Sequence, residues 1–175
     1  MPQVNRLKLP SASPRKQGER KVAWNDARSI GTADFFTLGY SGRTIAEITA
    51  SLHAAGVHTL LDIRQNAVSM YRPEMSKNNL RGYLEAQGIH YVHAPELGVP
   101  RDIRAKAIDA QSRDVIWDWY DEHVVQPFVG QNLHRFLNTL EHPVAMMCAE
   151  VDPAECHRHR LFVALEGKRL RGFDL

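Results

Sequence analysis

The amino-acid sequence predicts a single α/β domain, built on a mostly parallel sheet of about four or five strands with helices on both faces. Short apolar segments of strand length alternate along the chain with segments of helical periodicity. A predicted helix lies between successive strands, as in the crossover connections of parallel sheets. Because such crossovers are right-handed, they distribute the helices over both faces of the sheet.

Three strands and two helices are predicted in the first half of the domain. Apolar residues recur at helical spacing over 45–55, and Gly56 is typical of a helix end. Ser76 is a favourable N-cap for the second helix, and Gly88 ends that helix. The strands that flank these helices are Phe35–Gly39, His58–Arg64 and Ile89–His93.

The second half contributes further helices and a fourth strand. The stretch 115–140 is helical in pattern, and Pro127 is expected to separate two helices there. The apolar segment 144–148 has the length of a strand and ends on Cys148. A last helix is expected from 153 to about 165, with Asp152 as its N-cap, and a short basic tail follows.

The composition indicates a soluble globular protein. Of the 175 residues, 43% are hydrophobic and 24% are charged. No run of about 18 apolar residues occurs, so no membrane span is predicted. Two cysteines without a secretory signal predict a reducing, cytoplasmic location. The sequence does not indicate the oligomeric state.

Positive charge is concentrated at the N-terminus. Residues 1–30 hold seven basic and two acidic residues, whereas the remainder holds 15 basic and 18 acidic residues. Residues 1–33 are therefore expected to form a basic, flexible extension, and residues 34–175 the folded domain. Such an extension can contact nucleic acid or another polyanion, or it can serve only as solvated chain.

The ends of the predicted strands carry polar residues. In a parallel sheet the C-terminal ends of the strands share one edge, where such folds bind ligands. We therefore expect side chains from four separate segments to meet at this edge. These side chains are Tyr40, Ser41, Asp62, Arg64, Glu96, Cys148 and Glu150.

Five blocks of the sequence form an ordered set of motifs: Leu38–Arg43, Leu61–Arg64, Tyr71–Lys77, Tyr91–Gly98, and Met147–Glu150 with Cys156–Arg158. Over about residues 35–166, this set resembles the domain-of-unknown-function 488 family. A minor departure lies at 66–68, where the family pattern leads us to expect a proline. The resemblance implies an α/β fold and these motif residues, and it carries no established reaction.

A weaker likeness is to rhodanese and cysteine phosphatase folds, which also end a strand on a nucleophilic cysteine. Their cysteine loop closes on an arginine or a helix within about six residues and cradles an anion. Here Cys148 and Arg158 stand ten positions apart, and the loop carries Glu150 and Asp152. Because two acids repel an anion, neither a phosphatase nor a sulfurtransferase mechanism is expected.

Cys148 is the candidate nucleophile. A thiol near a helix N-terminus, an arginine and a histidine has the setting of a reactive thiolate, although a small buried residue at a strand end is the alternative. Arginine forks and ring-bearing side chains near this position are expected to contact an anionic ligand. The expected ligand-binding residues are Tyr40, Ser41, Arg64, Tyr71, Arg72, Cys156, His157 and Arg158.

Three carboxylates are candidates for proton transfer. Asp62, Glu96 and Glu150 on one edge would raise one another's pKa, which suits general acid–base catalysis, and they would also suit Mg²⁺. The alternative is that they form structural ion pairs with Arg64 and Arg158.

A zinc site has suitable donors in the two cysteines and the histidines that follow. However, Cys148 and Cys156 stand eight residues apart, and a helix would direct His157 and His159 to different sides. The sequence therefore predicts no metal site and no cofactor.

Three functions stay open at this level. The preferred one is a binding or catalytic site for an anionic, nucleotide-like or phosphate-bearing ligand in a single pocket. The second is a nucleic-acid-binding module that uses the basic extension and the arginines of the sheet edge. The third is a non-catalytic protein-interaction domain, for which Trp117 is a candidate surface residue. The single pocket of the first hypothesis would be enclosed by Arg64, Glu96, Cys148, Glu150 and Arg158.

Overall fold

The computed structural model describes residues 28–175, so residues 1–27 of the predicted basic extension lie outside the described residues. Its strands are β1 (Phe35–Gly39), β2 (Thr59–Asp62), β3 (His90–His93), β4 (Val144–Cys148) and β5 (Gly172–Asp174). They form one sheet in the order β3-β2-β4-β1-β5, with every pair parallel. This sheet confirms the predicted α/β domain.

Helices connect the strands throughout the described chain. They are α1 (Ile45–Ala54), α2 (Lys77–Ala86), α3 (Arg101–Asp109), α4 (Asp114–Tyr120), α5 (Leu133–Thr139) and α6 (Arg158–Glu166). Helix α1 begins with a capping box, in which the Thr44 hydroxyl accepts from the Glu47 amide and the Glu47 carboxylate accepts from the Thr44 amide. Within residues 28–175, no helix has both the length and the apolar character needed to cross a membrane.

The helices cover both faces of the sheet, because strand side chains alternate between two hydrophobic cores. One core includes Ile48 and Leu80 from α1 and α2, and we call this side the α1–α2 face. The other core includes Leu161 from α6, and we call it the α3–α6 face. In β4 the alternation places Met147 on the α1–α2 face and Cys148 on the α3–α6 face.

The helical region before β4 differs from the prediction at Pro127. Residues 114–139 are continuously helical, with π-helical stretches at Asp121–Val125 and Phe128–Asn132 between α4 and α5. Pro127 keeps helical dihedral angles between these stretches and does not separate two helices. The wide π turns displace the usual hydrogen bonds, so the missing N–H of a proline is tolerated there.

The chain after β4 also departs from the predicted helix. Asp152 caps a 3-10 turn at Pro153–Glu155, accepting from the Ala154 amide at 3.0 Å. The backbone is then extended at Cys156, so α6 begins only at Arg158 and the prediction of a helix from Pro153 is wrong. The expected basic tail contains β5, which pairs with β1.

Strand β5 brings an aspartate to a buried arginine. The side chains of Asp174 and Arg158 are both fully buried, with Nη2 and Oδ1 3.2 Å apart. The Thr37 hydroxyl of β1 donates to the same Oδ1 at 2.8 Å. The Arg158 guanidinium also donates to the backbone carbonyls of Glu150 and Val151. This ion pair therefore ties β1, β5 and the loop after β4 together.

Replacing Asp174 with alanine is expected to lower the free energy of unfolding by about 3 to 5 kcal/mol, because it removes the carboxylate that compensates a buried guanidinium. The matched control is Asp34→Ala, which removes the carboxylate that pairs with the largely exposed Arg171. This control is expected to cost at most about 1 kcal/mol. Urea unfolding measures both losses, and equal losses would contradict the role assigned to the buried pair.

Candidate functional site

The candidate site is built where β4 ends. Gly39 ends the neighbouring strand β1, and a side chain at that position would overlap the backbone carbonyl of Glu150. The glycine therefore allows the chain after Cys148 to pass close to the end of β1. After the 3-10 turn, the chain brings Cys156 and His157 back to the end of β4.

Four side chains with metal-ligating or nucleophilic atoms meet there, and we call them the thiol cluster: Cys148, Glu150, Cys156 and His157. One such atom from each residue lies within 4.8 Å of those of the others. The Cys148 thiol donates to Oε2 of Glu150 at 3.2 Å, and its sulfur lies 3.8 and 3.7 Å from the two ring nitrogens of His157. Both cysteines are 1% exposed and His157 is 3% exposed, so these three side chains are shielded from bulk solvent, whereas Glu150 is half-buried.

The two thiols differ in acidity. The hydrogen bond with Cys156 and burial raise the pKa of Cys148 well above its ordinary value. Burial opposes ionisation of Cys156, but hydrogen bonds with Cys148 and His157 lower its pKa to about 6. Burial also opposes ionisation of Glu150, yet hydrogen bonds with the thiols and the charge of His157 lower the pKa of this carboxyl. Of the two thiols, Cys156 is therefore the one that ionises more readily.

Neighbouring side chains hold the thiol cluster in place. The ring of Tyr120 packs edge-on against His157 with centroids 5.0 Å apart, and its hydroxyl donates to a backbone carbonyl at 2.6 Å. The backbone N–H of Arg158 donates to the sulfur of Cys156 at 3.5 Å. Because the Arg158 side chain is fully buried, we interpret it as a positioning residue rather than as a ligand contact.

A cavity of about 220 Å³ opens onto the thiol cluster. Glu150 and His157 line it, whereas neither cysteine is among its lining residues. Trp117, a surface candidate in the sequence, is half-buried in the wall of this cavity. Most other side chains of the wall belong to α3, α4 and the residues next to them in sequence: Val99, Arg104, Ala107, Ile108, Ser112, Arg113 and Ile116. Glu155, from the 3-10 turn after β4, completes the wall.

Asp62 and Arg64 lie on the opposite face of the sheet from the thiol cluster. Asp62 pairs in register with Met147, and on that α1–α2 face it accepts from the Tyr91 hydroxyl at 2.5 Å. Arg64 donates to both oxygens of Asp62, at 2.8 and 2.6 Å. The predicted single pocket around Arg64 and Cys148 is therefore corrected, because consecutive positions at the end of a strand point to opposite faces.

Tyr40 and Arg72 belong with Arg64 on the α1–α2 side. The guanidinium carbons of Arg64 and Arg72 lie 5.0 and 5.8 Å from the centroid of the Tyr40 ring. Arg72 also donates to the backbone carbonyls of Tyr40 and Arg43, at 3.1 and 2.6 Å. These contacts match the alternative in which arginines of the sheet edge hold loops in place.

The remaining predicted residues are placed elsewhere. Glu96 is exposed and lines a second cavity with His93 and Arg135, so it does not share the cavity of Glu150. Tyr71 is fully exposed in the loop after β2. The backbone N–H of Ser41 donates to the backbone carbonyl of Ala149 at 3.0 Å.

The thiol cluster has a donor set that can hold a metal ion. The spacing of Cys148 and Cys156 argued against this in the sequence, but the 3-10 turn folds the intervening loop so that both sulfurs meet. The fourth donor is Glu150, whereas His159 is not one of the four. Arg104 of α3 and Arg113, which precedes α4, were not predicted as site residues, because this part of the sequence carries no recognisable motif.

Comparison with known proteins identifies a family for this chain. A family model described as domain of unknown function DUF488 matches residues 44–165 of the 175 residues. The match covers the strands β2 to β4 and all four residues of the thiol cluster. No curated protein and no solved structure matches the chain.

The difference in acidity between the thiols is testable by ultraviolet absorbance of thiolates. In metal-free protein, the thiolate band is expected to rise with a midpoint near pH 6, because hydrogen bonds stabilise the Cys156 anion. Cys156→Ser is expected to abolish this step. Cys148→Ser is the matched control and keeps it, since a hydroxyl can still donate to the thiolate. A rise only in the ordinary thiol range, about pH 8.5, would contradict the assignment.

Proposed function

This chain belongs to the family of the domain of unknown function DUF488, and we propose that it binds a small nucleotide in the cavity over the thiol cluster. The observation that carries the proposal is the lining of this cavity, which includes two arginines, a tryptophan, Glu155, and the carboxylate and imidazole of the thiol cluster. The arginines match the phosphate of a nucleoside monophosphate, and the tryptophan and the Glu150 carboxylate match its base.

The arginines supply the contact for a phosphate. Arg104 and Arg113 are exposed on the cavity wall. Each guanidinium donates to one backbone carbonyl in the described chain, that of Val99 and that of Glu155, at 3.2 and 3.0 Å. A guanidinium carries five N–H donors, so each retains capacity for the oxygens of a phosphate.

The aromatic and acidic groups suit a nucleobase. Trp117 and Ile116 are apolar side chains of the wall, and an indole is a ring on which a base can stack. The guanidinium carbon of Arg160 lies 5.8 Å from the centroid of the Trp117 ring, so a base would stack on the face away from Arg160. The carboxylate of Glu150 accepts hydrogen bonds, as acidic side chains do from the amino groups of bases. The cavity volume of about 220 Å³ is below the roughly 300–1,000 Å³ of sites that enclose drug-sized ligands, so the cavity can hold at most one nucleotide, with part of that nucleotide outside it.

The reactive groups in this proposal are those that line the cavity. Glu150 and His157 contact its interior, and both have the chemistry of general acids and bases. Cys148 was the candidate nucleophile, but its thiol is buried, is not part of the lining and has a raised pKa. We therefore assign proton transfer to Glu150 and His157 and give the cysteines a supporting role.

Two arginines that the nucleic-acid-binding hypothesis requires at the surface are buried. Arg64 and Arg158 are both buried in ion pairs, with Asp62 and Asp174, so neither is available to contact a phosphate backbone. The basic extension, which carries the rest of that hypothesis, lies largely outside the described residues. Binding of an oligonucleotide is therefore an outcome that the experiment must separate from nucleotide binding.

Isothermal titration of the full chain with AMP, GMP, CMP and UMP tests the proposal. At least one nucleotide is expected to bind at one site per chain. Arg113→Ala is expected to weaken that binding by about tenfold or more, since a hydrogen bond to a charged group contributes about 1.5 to 3 kcal/mol. Arg135→Ala is the matched control, because it removes the same charge from the second cavity, and it is expected to leave the affinity unchanged.

Two results would contradict the proposal. One is the absence of binding by all four nucleotides. The other is an equal loss of affinity in Arg113→Ala and Arg135→Ala, which would indicate nonspecific attraction by positive charge. If a single-stranded oligonucleotide binds where the nucleotides do not, and deletion of residues 1–27 abolishes that binding at low salt, the nucleic-acid alternative replaces the proposal.

A further inference from the structure

The thiol cluster brings together two sulfurs, an imidazole and a carboxylate at distances that match one coordination sphere. The donor atoms lie within 4.8 Å of one another, and the sulfur of Cys148 is 3.2 Å from Glu150 Oε2 and 3.7 Å from His157 Nε2. In a tetrahedral zinc site, bonds of roughly 2.0–2.3 Å place neighbouring donors about 3.3–3.8 Å apart. The two distances from the Cys148 sulfur lie close to this range, and side-chain rotation would have to shorten the separations that extend to 4.8 Å.

From this geometry we propose that the thiol cluster binds one Zn²⁺ ion through Cys148, Cys156 and His157, with Glu150 as the fourth ligand. Two thiolates and an imidazole are the donors that favour zinc over hard cations such as Mg²⁺. Zinc binding would displace the thiol protons into solvent, so that both sulfurs coordinate as thiolates and no redox step is involved. The buried Arg158 guanidinium interacts electrostatically with both sulfurs and favours negative charge on them, in addition to its ion pair with Asp174.

The four ligands differ in their access to the cavity. The cysteines are 1% exposed and are held by the end of β4 and by the loop that precedes α6. Glu150 lines the cavity and is only half-buried. A ligand or a water molecule can therefore displace the carboxylate without disturbing the two sulfurs, which is the open position that a catalytic zinc site requires.

The zinc inference deepens the proposed function and rests on it for the role of the ion, since both use the same cavity. With zinc bound, His157 would be a ligand, so proton transfer would be left to Glu150 when a cavity ligand displaces its carboxylate from the ion. Zinc binding itself is measurable without any nucleotide. The experiment strips the full chain with a chelator, then titrates it with Zn²⁺ against a chromophoric chelator and separately with Co²⁺. One ion per chain is expected. Cobalt is expected to give thiolate-to-metal charge-transfer bands and the intense visible bands of tetrahedral coordination.

Substitutions in the cluster test the ligand set. Cys156→Ser and His157→Asn are expected to weaken zinc binding by more than about 100-fold, because even changes outside the ligand shell cost roughly 10- to 100-fold. His159→Asn, two positions after His157 and in α6, is the matched control and is expected to keep the affinity of the parent. Glu150→Gln, at a half-buried position, is expected to fold and to bind zinc more weakly with both thiolate bands retained. Far-UV circular dichroism of each variant separates loss of the ligand from loss of the fold.

Several outcomes would overturn the zinc inference. They are failure of the parent protein to bind zinc, a cobalt complex without thiolate bands, and unchanged affinity in folded Cys156→Ser. Nucleotide titrations with excess chelator separate the two proposals. If a nucleotide binds in chelator and the parent protein fails to bind zinc, the zinc inference fails alone. If the protein binds zinc but binds no nucleotide in either its zinc-loaded or its metal-free form, the proposed nucleotide site fails alone.

Discussion

The buried guanidinium of Arg158 is the interaction on which the arrangement of the site depends. It pairs with Asp174 of β5 and donates to two carbonyls of the loop after β4, so it fixes the position of that loop against the sheet. The backbone N–H of the same residue donates to Cys156. A buried charge without these partners would be costly, and the chain can satisfy it only when β5 and the loop are both in place.

The site combines a rigid interior with an accessible surface. The cysteines lie behind the cavity at the end of β4, where close packing and hydrogen bonds restrict their movement. Glu150 and His157 face the cavity, and Arg104 of α3 and Arg113, which precedes α4, also line it. This division matches the usual design of a functional site, in which rigid elements hold the reactive groups and a neighbouring wall selects the ligand.

The sequence predicted the strands better than it predicted which side chains meet. The apolar segments before Gly39 and Cys148 identified β1 and β4 because short buried strands have a clear composition. The fifth strand was missed, since Gly172–Asp174 is short and follows basic residues. The error at Arg64 came from treating the sheet edge as one surface, although the alternation of Met147 and Cys148 already separated the two faces. The thiol cluster forms because the backbone is extended at Cys156 and so returns the chain to the end of β4. The helix-start signals at Asp152 and Pro153 predicted a helical conformation there instead.

Arg158→Lys tests most directly whether the Arg158 guanidinium positions the thiol cluster. The substitution keeps the positive charge but removes the planar guanidinium, which donates to two backbone carbonyls and to Asp174 at the same time. The measurement is the pH dependence of thiolate absorbance in the folded, metal-free variant, with Arg160→Lys as the comparison from the same helix. We expect far-UV circular dichroism to remain that of an α/β fold while the Cys156 step near pH 6 moves to a higher pH. A folded Arg158→Lys variant with an unchanged step would contradict the account, because the loop would then hold the cluster without this guanidinium.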